Sequence, residues 1–161
     1  LLSFSRPVQA KLQEVDLVEA IHPALEGVRA SGMGDTEVTG AGRAMVDPHL
    51  LNQALLNIVQ NAWQAGANRV RVHVQDALLT VSDDGPGIPV DKREEVFEPF
   101  VTSKPPGRGT GLGLALVYSI IEEHQGTIRV ESPLGEKGGT RFIVSLPVHR
   151  QQAAAPGQPE T

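Results

Sequence analysis

Apolar residues in the first third of the chain recur at helical intervals. Leu17, Val18, Ile21, Leu25 and Val28 fall three or four apart behind Asp16, which predicts an amphipathic helix opened by that aspartate. Upstream, residues 1–7 (LLSFSRP) read as the end of another helix, stopped by Pro7, which has no N–H to continue it. Asp47-Pro48 is a stronger start: aspartate accepts from free amides, and proline fits the first helical position. Leu51, Ala54, Leu55, Ile58, Val59 and Ala62 then make one apolar face, opposite an uncharged polar face of Gln53, Asn57, Gln60, Asn61 and Gln64. That helix should end near Gly66.

Elsewhere the period shortens. ASGMGDT (30–36) reads as a loop, and TEVTGAGRAMV (36–46) alternates weakly, as short strands do. RVRVHV (69–74) and LLTVSD (78–83), joined by Gln75-Asp76-Ala77, predict a hairpin. Regular pattern then vanishes from Asp84 to Gly113, apart from a helical turn around residues 91–96; so long an irregular segment inside a compact domain is usually functional. A helix resumes at Leu114 and runs through Val117, Ile120 and Ile121 towards Gly126. TIRVES (127–132) and TRFIVSL (140–146) form a second hairpin across a glycine-rich turn, and QQAAAPGQPET (151–161) is a low-complexity tail expected to be disordered. Helices segregated against a mostly antiparallel sheet make the fold class α+β, a two-layer α/β sandwich.

Composition narrows the chemistry. At 161 residues the chain has the length of one domain with a tail, and its 17 glycines and 12 prolines give loops unusual weight. A net charge of −5 and 4% aromatics argue against nucleic acid or an anionic membrane as a general partner. The absence of cysteine excludes disulfides, thiolate nucleophiles and cysteine-bound zinc, and fits a reducing compartment. His22, His49, His73, His124 and His149 lack metal-ligand spacing, so each is expected at a surface or an edge. No apolar run approaches the ~20 residues of a membrane span, and no signal peptide is visible. Starting at Leu1, the chain is read as a fragment of something longer.

Three features carry candidate chemistry. Gly109, Gly111 and Gly113 alternate before a helix, with Lys104 and Arg108 upstream, so backbone amides, a helix N-terminus and two cations can converge on phosphate. A solvent-exposed basic turn is the alternative. The run is neither a Walker loop, which requires Gly-Lys-Ser/Thr, nor a dinucleotide fingerprint, whose third glycine is replaced by Leu114. Asp83 ends an apolar strand beside Gly85 and Gly87; half-shielded, it would accept strongly from an exocyclic amine, although an acidic turn is the commoner fate of Asp-Gly. Asn57 and Asn61, four apart on one helix face, offer hard amide oxygens suited to Mg²⁺, against the alternative of a solvated face.

The ordered set N-x-x-x-N-A (57–62), D-x-G-x-G-I (83–88), F-E-P-F (97–100) with T-S-K (102–104), G-x-G-x-G-L (109–114) and G-G-T-x-F (138–142) resembles the ATP-binding catalytic domain of sensor histidine kinases, in the GHKL superfamily. FEPFVTSKPPGRGTGLGLAL looks most like the nitrogen-regulatory type, and LLSFSRP resembles the last turn of such kinases' dimerisation helices. The resemblance implies a Bergerat fold, a mixed sheet of about five strands backed by three helices, with ATP under a mobile lid. It implies that Asn61 holds Mg²⁺ with Asn57 assisting, and that Asp83 binds the adenine amine in a pocket shaped by Gly85, Gly87 and Ile88. Phe97 and Phe100 would anchor the lid; Lys104, Arg108 and the backbone of Gly109, Thr110, Gly111, Leu112 and Gly113 would grip the phosphates, and Thr102, Ser103 and Leu114 would also belong to the nucleotide site. Thr140 would lie on the sheet near adenine. Asn57, Asn61 and Lys104 would act in the transfer itself.

Two departures shape the expected activity. ATP-hydrolysing relatives carry glutamate where Asn57 stands, and an amide cannot take water's proton, so intrinsic hydrolysis should be slow. The phosphoacceptor motif is missing and His22-Pro23 sits in the wrong context, so the accepting histidine would belong to a dimerisation domain outside this chain. The expected organisation is the end of a dimerisation helix and linker (1–15), an ATP-binding catalytic domain (16–147) and a tail (148–161). Expected partners are ATP, that dimerisation domain and a response-regulator receiver, in a homodimeric, cytoplasmic or membrane-anchored parent. A non-catalytic nucleotide-binding module, a client-clamping ATPase and an anti-sigma-type serine kinase are the alternatives. Residues 101–110 are expected to be poorly ordered without nucleotide.

Overall fold

The computed structural model describes residues 9–98 and 113–148. The readings of residues 1–7 as a helix end and of 151–161 as a tail, and the placement of His149, lie outside them. The element order is β1 (Gln13–Asp16), α1 (Leu17–Ala20), α2 (His22–Ala30), β2 (Glu37–Ala41), β3 (Arg43–Val46), α3 (Pro48–Gln64), β4 (Val70–Gln75), β5 (Leu78–Asp83), a 3₁₀ segment (Val90–Glu95), α4 (Gly113–Glu123), β6 (Thr127–Glu131) and β7 (Thr140–Ser145).

The stretch behind Asp16 forms two helices. Asp16 does cap the first, accepting from the Glu19 amide at 3.1 Å, but α1 lasts a single turn. Pro23, near the start of α2, has no N–H to carry the α1 ladder onward, so the chain re-nucleates after Ile21. The apolar stripe survives the break, with Leu17, Ile21, Ala24 and Val28 all buried. Strand β1 was not legible in the pattern: only Val15 of QEVD is apolar, and it pairs antiparallel with β3 in a separate two-stranded sheet.

The main sheet runs β2-β4-β5-β7-β6. Only β2 and β4 are parallel, and parallel neighbours need a crossover; helix α3 lies in that connection. Its six predicted apolar positions are all buried, and Asp47 caps it by accepting from the His49 and Leu50 amides at 3.1 and 3.2 Å. Strict alternation in β4 sends Val70, Val72 and Val74 to the helices and Arg71, His73 and Gln75 to solvent. Each fully buried Leu, Ile or Val on this inner face contributes about 1.5–3 kcal/mol. The outer face is covered by its own side chains. Glu37, Arg71, Ser82, Arg141 and Glu131 are successive cross-strand partners, with Arg71–Glu37 at 3.0 Å, Arg141–Ser82 at 3.1 Å and Arg141–Glu131 at 3.4 Å. One helical layer therefore suffices, as the two-layer expectation holds.

His124 departs from its expected place at a surface, being completely buried at the end of α4. Its Nε2 accepts the Asp47 amide at 3.0 Å and its Nδ1 lies 2.7 Å from the Ile120 carbonyl. A carbonyl can only accept, so Nδ1 carries the proton and the ring is neutral. His124 thus pins the C-terminal end of α4 to the N-terminus of α3. Asn52 makes a second tie, accepting from the Ala24 amide (2.9 Å) and donating to the Ala20 carbonyl (2.7 Å). Among the described residues no helix is long and apolar enough to cross a membrane.

Candidate functional site

Two adjacent aspartates end β5 and take opposite fates. Asp84 is exposed and accepts from the Arg69 and Asn68 amides, both at 2.8 Å, which holds its carboxyl below the usual range. It closes the turn that leads from α3 into β4. Asp83 is half-buried on the helix-facing side of the sheet, in line with Leu79 and Val81. Burial pushes its carboxyl above the ordinary value, helped by the neighbouring charge of Asp84; the Gly85 amide, donating to Oδ1 at 2.8 Å, and the Thr140 amide pull the other way.

Beside Asp83 two loops interlock. Gly138, at φ +94°, lies so close to the 85–86 backbone that a Cβ would sit 2.7 Å from both the Gly85 and Pro86 carbonyl oxygens. Only glycine fits there. The Gly139 amide donates to the Gly85 carbonyl at 2.8 Å. Gly87, at φ +82°, similarly faces Ser132 Oγ and the Gly139 carbonyl, at 3.1 and 3.2 Å from its Cβ position. The Asp-Gly-Pro-Gly-Ile run and the Gly-Gly-Thr run are therefore one structural unit. Thr140 is buried and directly opposite Asp83 in the β5–β7 register.

At the other end, α3 meets the start of α4. The Asn57 amide nitrogen donates to the Gln53 carbonyl at 3.1 Å. This turns Oδ1 outward, and a Cβ on Gly113 would lie 3.7 Å from it and 4.0 Å from Asn61 Nδ2. The first turn of α4, whose amides have no partners within the helix, thus stands over both asparagines. Among the described residues no group of three or more His, Cys, Asp or Glu could hold a metal. Hard amide oxygens without a carboxylate cage fit Mg²⁺, which takes most of its ligands from water and phosphate.

Phe97, where the irregular segment leaves the described residues, packs at 6.0 Å edge-on to Phe142 and at 5.7 Å from Tyr118. Phe97 is therefore seated on both β7 and α4. Ile88 and Leu114 pack partly buried against the core. Phe100, Thr102, Ser103, Lys104, Arg108, Gly109, Thr110, Gly111 and Leu112, and the expected disorder of 101–110, lie outside the described residues. His22 is exposed at the start of α2, far in sequence from any of these groups. A concavity of ≈ 790 Å³ lies on the outer sheet face around Arg71, His73, Thr80 and Arg141 and includes none of the predicted site. Its charged side chains already pair with one another, so it is an ordinary solvated sheet surface.

The sequence pattern gave no notice of Ser132, a buried hydroxyl at the centre of the interlocked loops. Nothing local marks a serine as buried; only contact between segments more than forty residues apart does.

Comparison with known proteins adds independent weight. Residues 46–150 match the family described as histidine kinase-, DNA gyrase B-, and HSP90-like ATPase. The chain is 36% identical over 167 residues to the signal transduction histidine-protein kinase AtoS of Escherichia coli K12, covering 94% of this chain and 26% of AtoS. It is 38% identical over 161 residues to the sensor histidine kinase ZraS of Escherichia coli O157:H7, covering 92% of this chain and 34% of ZraS. The chain thus spans about a quarter to a third of these relatives. Among solved structures, the mycobacterial sensor histidine kinase MprB superposes with a TM-score of 0.74 at 35% identity, covering 85% of this chain and 97% of that one. Full-length ShkA in complex with AMPPNP superposes at 0.70 with 29% identity, covering 88% of this chain and 32% of that one.

Proposed function

The chain belongs to the histidine kinase-, DNA gyrase B- and HSP90-like ATPase family and is homologous to the catalytic domains of sensor histidine kinases; on that premise we propose that it binds Mg-ATP and delivers the γ-phosphoryl group to a histidine on a separate dimerisation domain. The observation that carries this is a pair of chemically distinct groups: a half-buried acceptor, Asp83, beside the interlocked loops, and the amides of Asn57 and Asn61 beneath the first turn of α4.

Asp83 accepts from the adenine amino group, and the interlocked 85–88 and 138–140 loops border the ring. Asn61, with Asn57 beside it, holds the divalent ion, which when bound neutralises phosphate charge. Lys104, Arg108 and the Gly109–Gly113 backbone bind the phosphates. Asn57 Oδ1 belongs to an amide and cannot take a proton from water, so the pocket favours an incoming imidazole over hydrolysis. Positioning then supplies most of the rate. The phosphoryl group passes onward to a response-regulator aspartate, and the parent is a homodimer acting in the cytoplasm, free or membrane-anchored. The nitrogen-regulatory subtype rests on the FEPFVTSKPPGRGTGLGLAL run alone.

Calorimetry on the full chain tests this: adenine nucleotide should bind, and Mg²⁺ should tighten it. Asn61→Ala should remove the Mg²⁺ dependence. No uptake of ATP by the folded chain with magnesium present would overturn the assignment, and an unchanged Mg²⁺ titration in Asn61→Ala would reject the ligand role.

A further inference from the structure

Ser132 lies outside every motif of the pattern, is 1% exposed, and its hydroxyl has three partners. The Ile88 amide is 2.6 Å away, the Gly139 carbonyl 2.8 Å and the Thr140 hydroxyl 3.0 Å. A serine hydroxyl has one proton and two lone pairs. An amide N–H can only donate, so Ile88 takes one lone pair. A carbonyl can only accept, so the single proton goes to Gly139. One lone pair remains for Thr140, which must therefore be the donor in that pair. Its proton is committed inward, and its oxygen has only lone pairs left for a ligand.

Thr140 sits directly across from Asp83 on the same sheet face. Among the described residues, Asp83 and Thr140 thus form two acceptors side by side, with the Thr140 proton turned away from the base. We propose that Ser132 is a positioning residue for base selection: by holding the Thr140 proton it keeps this pair acceptor-only, so that a purine with an amino group at position 6 is taken and one with a carbonyl there is refused. This rests on the assignment of the pocket to an adenine nucleotide. It adds to Asp83 a second group, set at one remove, that decides between amino and oxo purines.

The experiment compares affinities of the full chain for Mg-ATP and for Mg-ITP, which carries the oxo group at position 6. Wild type prefers ATP. Ser132→Ala frees the Thr140 hydroxyl to rotate and donate outward, and the ATP-to-ITP preference falls by about tenfold, the worth of one hydrogen bond. In a Thr140→Val background the same serine change leaves the preference where it is. A serine that merely props the loops weakens both nucleotides by one factor, and an unchanged preference in Ser132→Ala overturns the proposal. Should Ser132→Ala fail to fold by circular dichroism, the threonine decides. Thr140→Ser, which keeps the hydroxyl, retains the preference and Thr140→Val reduces it; full preference in Thr140→Val overturns the proposal. A wild-type chain that binds neither nucleotide overturns the pocket assignment itself, an outcome distinct from ATP binding with an unmoved ratio.

Discussion

Gly138→Ala adds one methyl group where two loops touch, and its cost follows from three features. At φ +94° the backbone is in the left-handed region, where a Cβ costs about 1–2 kcal/mol. The new atom would also stand 2.7 Å from two backbone carbonyl oxygens, those of Gly85 and Pro86, neither of which can swing aside as a side chain would. Relieving the overlap parts the loops and stretches the 2.8 Å bond from the Gly139 amide to Gly85, worth about 1 kcal/mol. Together these give a destabilisation of about 2–4 kcal/mol, which for a domain of this size lowers Tm by roughly 5–15 °C. Gly135→Ala is the control, since nothing lies within 4 Å of its Cβ position; it should stay within about 0.5 kcal/mol of wild type. Urea unfolding of both variants by circular dichroism checks this, with ATP affinity measured alongside because the 85–88 loop borders the site. A Gly138→Ala variant as stable as Gly135→Ala would refute the interlocked-loop account.

Asp83→Asn should weaken ATP binding far more than binding of inorganic triphosphate, and equal losses would remove Asp83 from the base site. Burial raises the Asp83 pKa, so between the ordinary carboxylate value and the raised one the folded state holds a proton that the unfolded chain has released. The Asp83 contribution to stability therefore falls as pH rises through that window, and Asp83→Asn should be neutral or stabilising at pH 7. Over the same window wild-type ATP affinity should rise with pH while that of Asp83→Asn stays flat. Steady-state phosphate release by the chain should stay below about 1 s⁻¹, the low end of enzyme turnover; rapid release would contradict the amide at position 57. Gly27 lies exposed within α2 with nothing within 4 Å of its Cβ position, so Gly27→Ala should add about 0.5–1 kcal/mol in thermal unfolding.

What could be seen in advance was whatever short-range chemistry encodes. Asp47-Pro48 and six apolar residues at helical spacing define α3 without outside help, and alternation defines β4 and β5. Asp83 at a strand end beside Gly85 and Gly87 left a local mark, whereas the nearness of Thr140 was implied only by the family resemblance. His124, Asn52 and Ser132 left none. Each is a lone polar residue whose burial is decided by a partner far along the chain: Asp47, Ala24 and Ile88 respectively. Strand β1 escaped for the same reason, since QEVD becomes a strand only because RAMV lies beside it.

The tie between His124 and Asp47 fixes one end of an antiparallel pair of helices, and Asn57 and Gly113 face each other at the other. Ten or eleven residues of helix span about 15–16 Å. A rotation of about 5° around the tethered end therefore carries the free end through about 1.3 Å, the scale at which misplaced reacting groups can slow an enzyme a hundredfold. A buried imidazole in this way sets the tolerance to which Asn57 and Gly113 are held against each other.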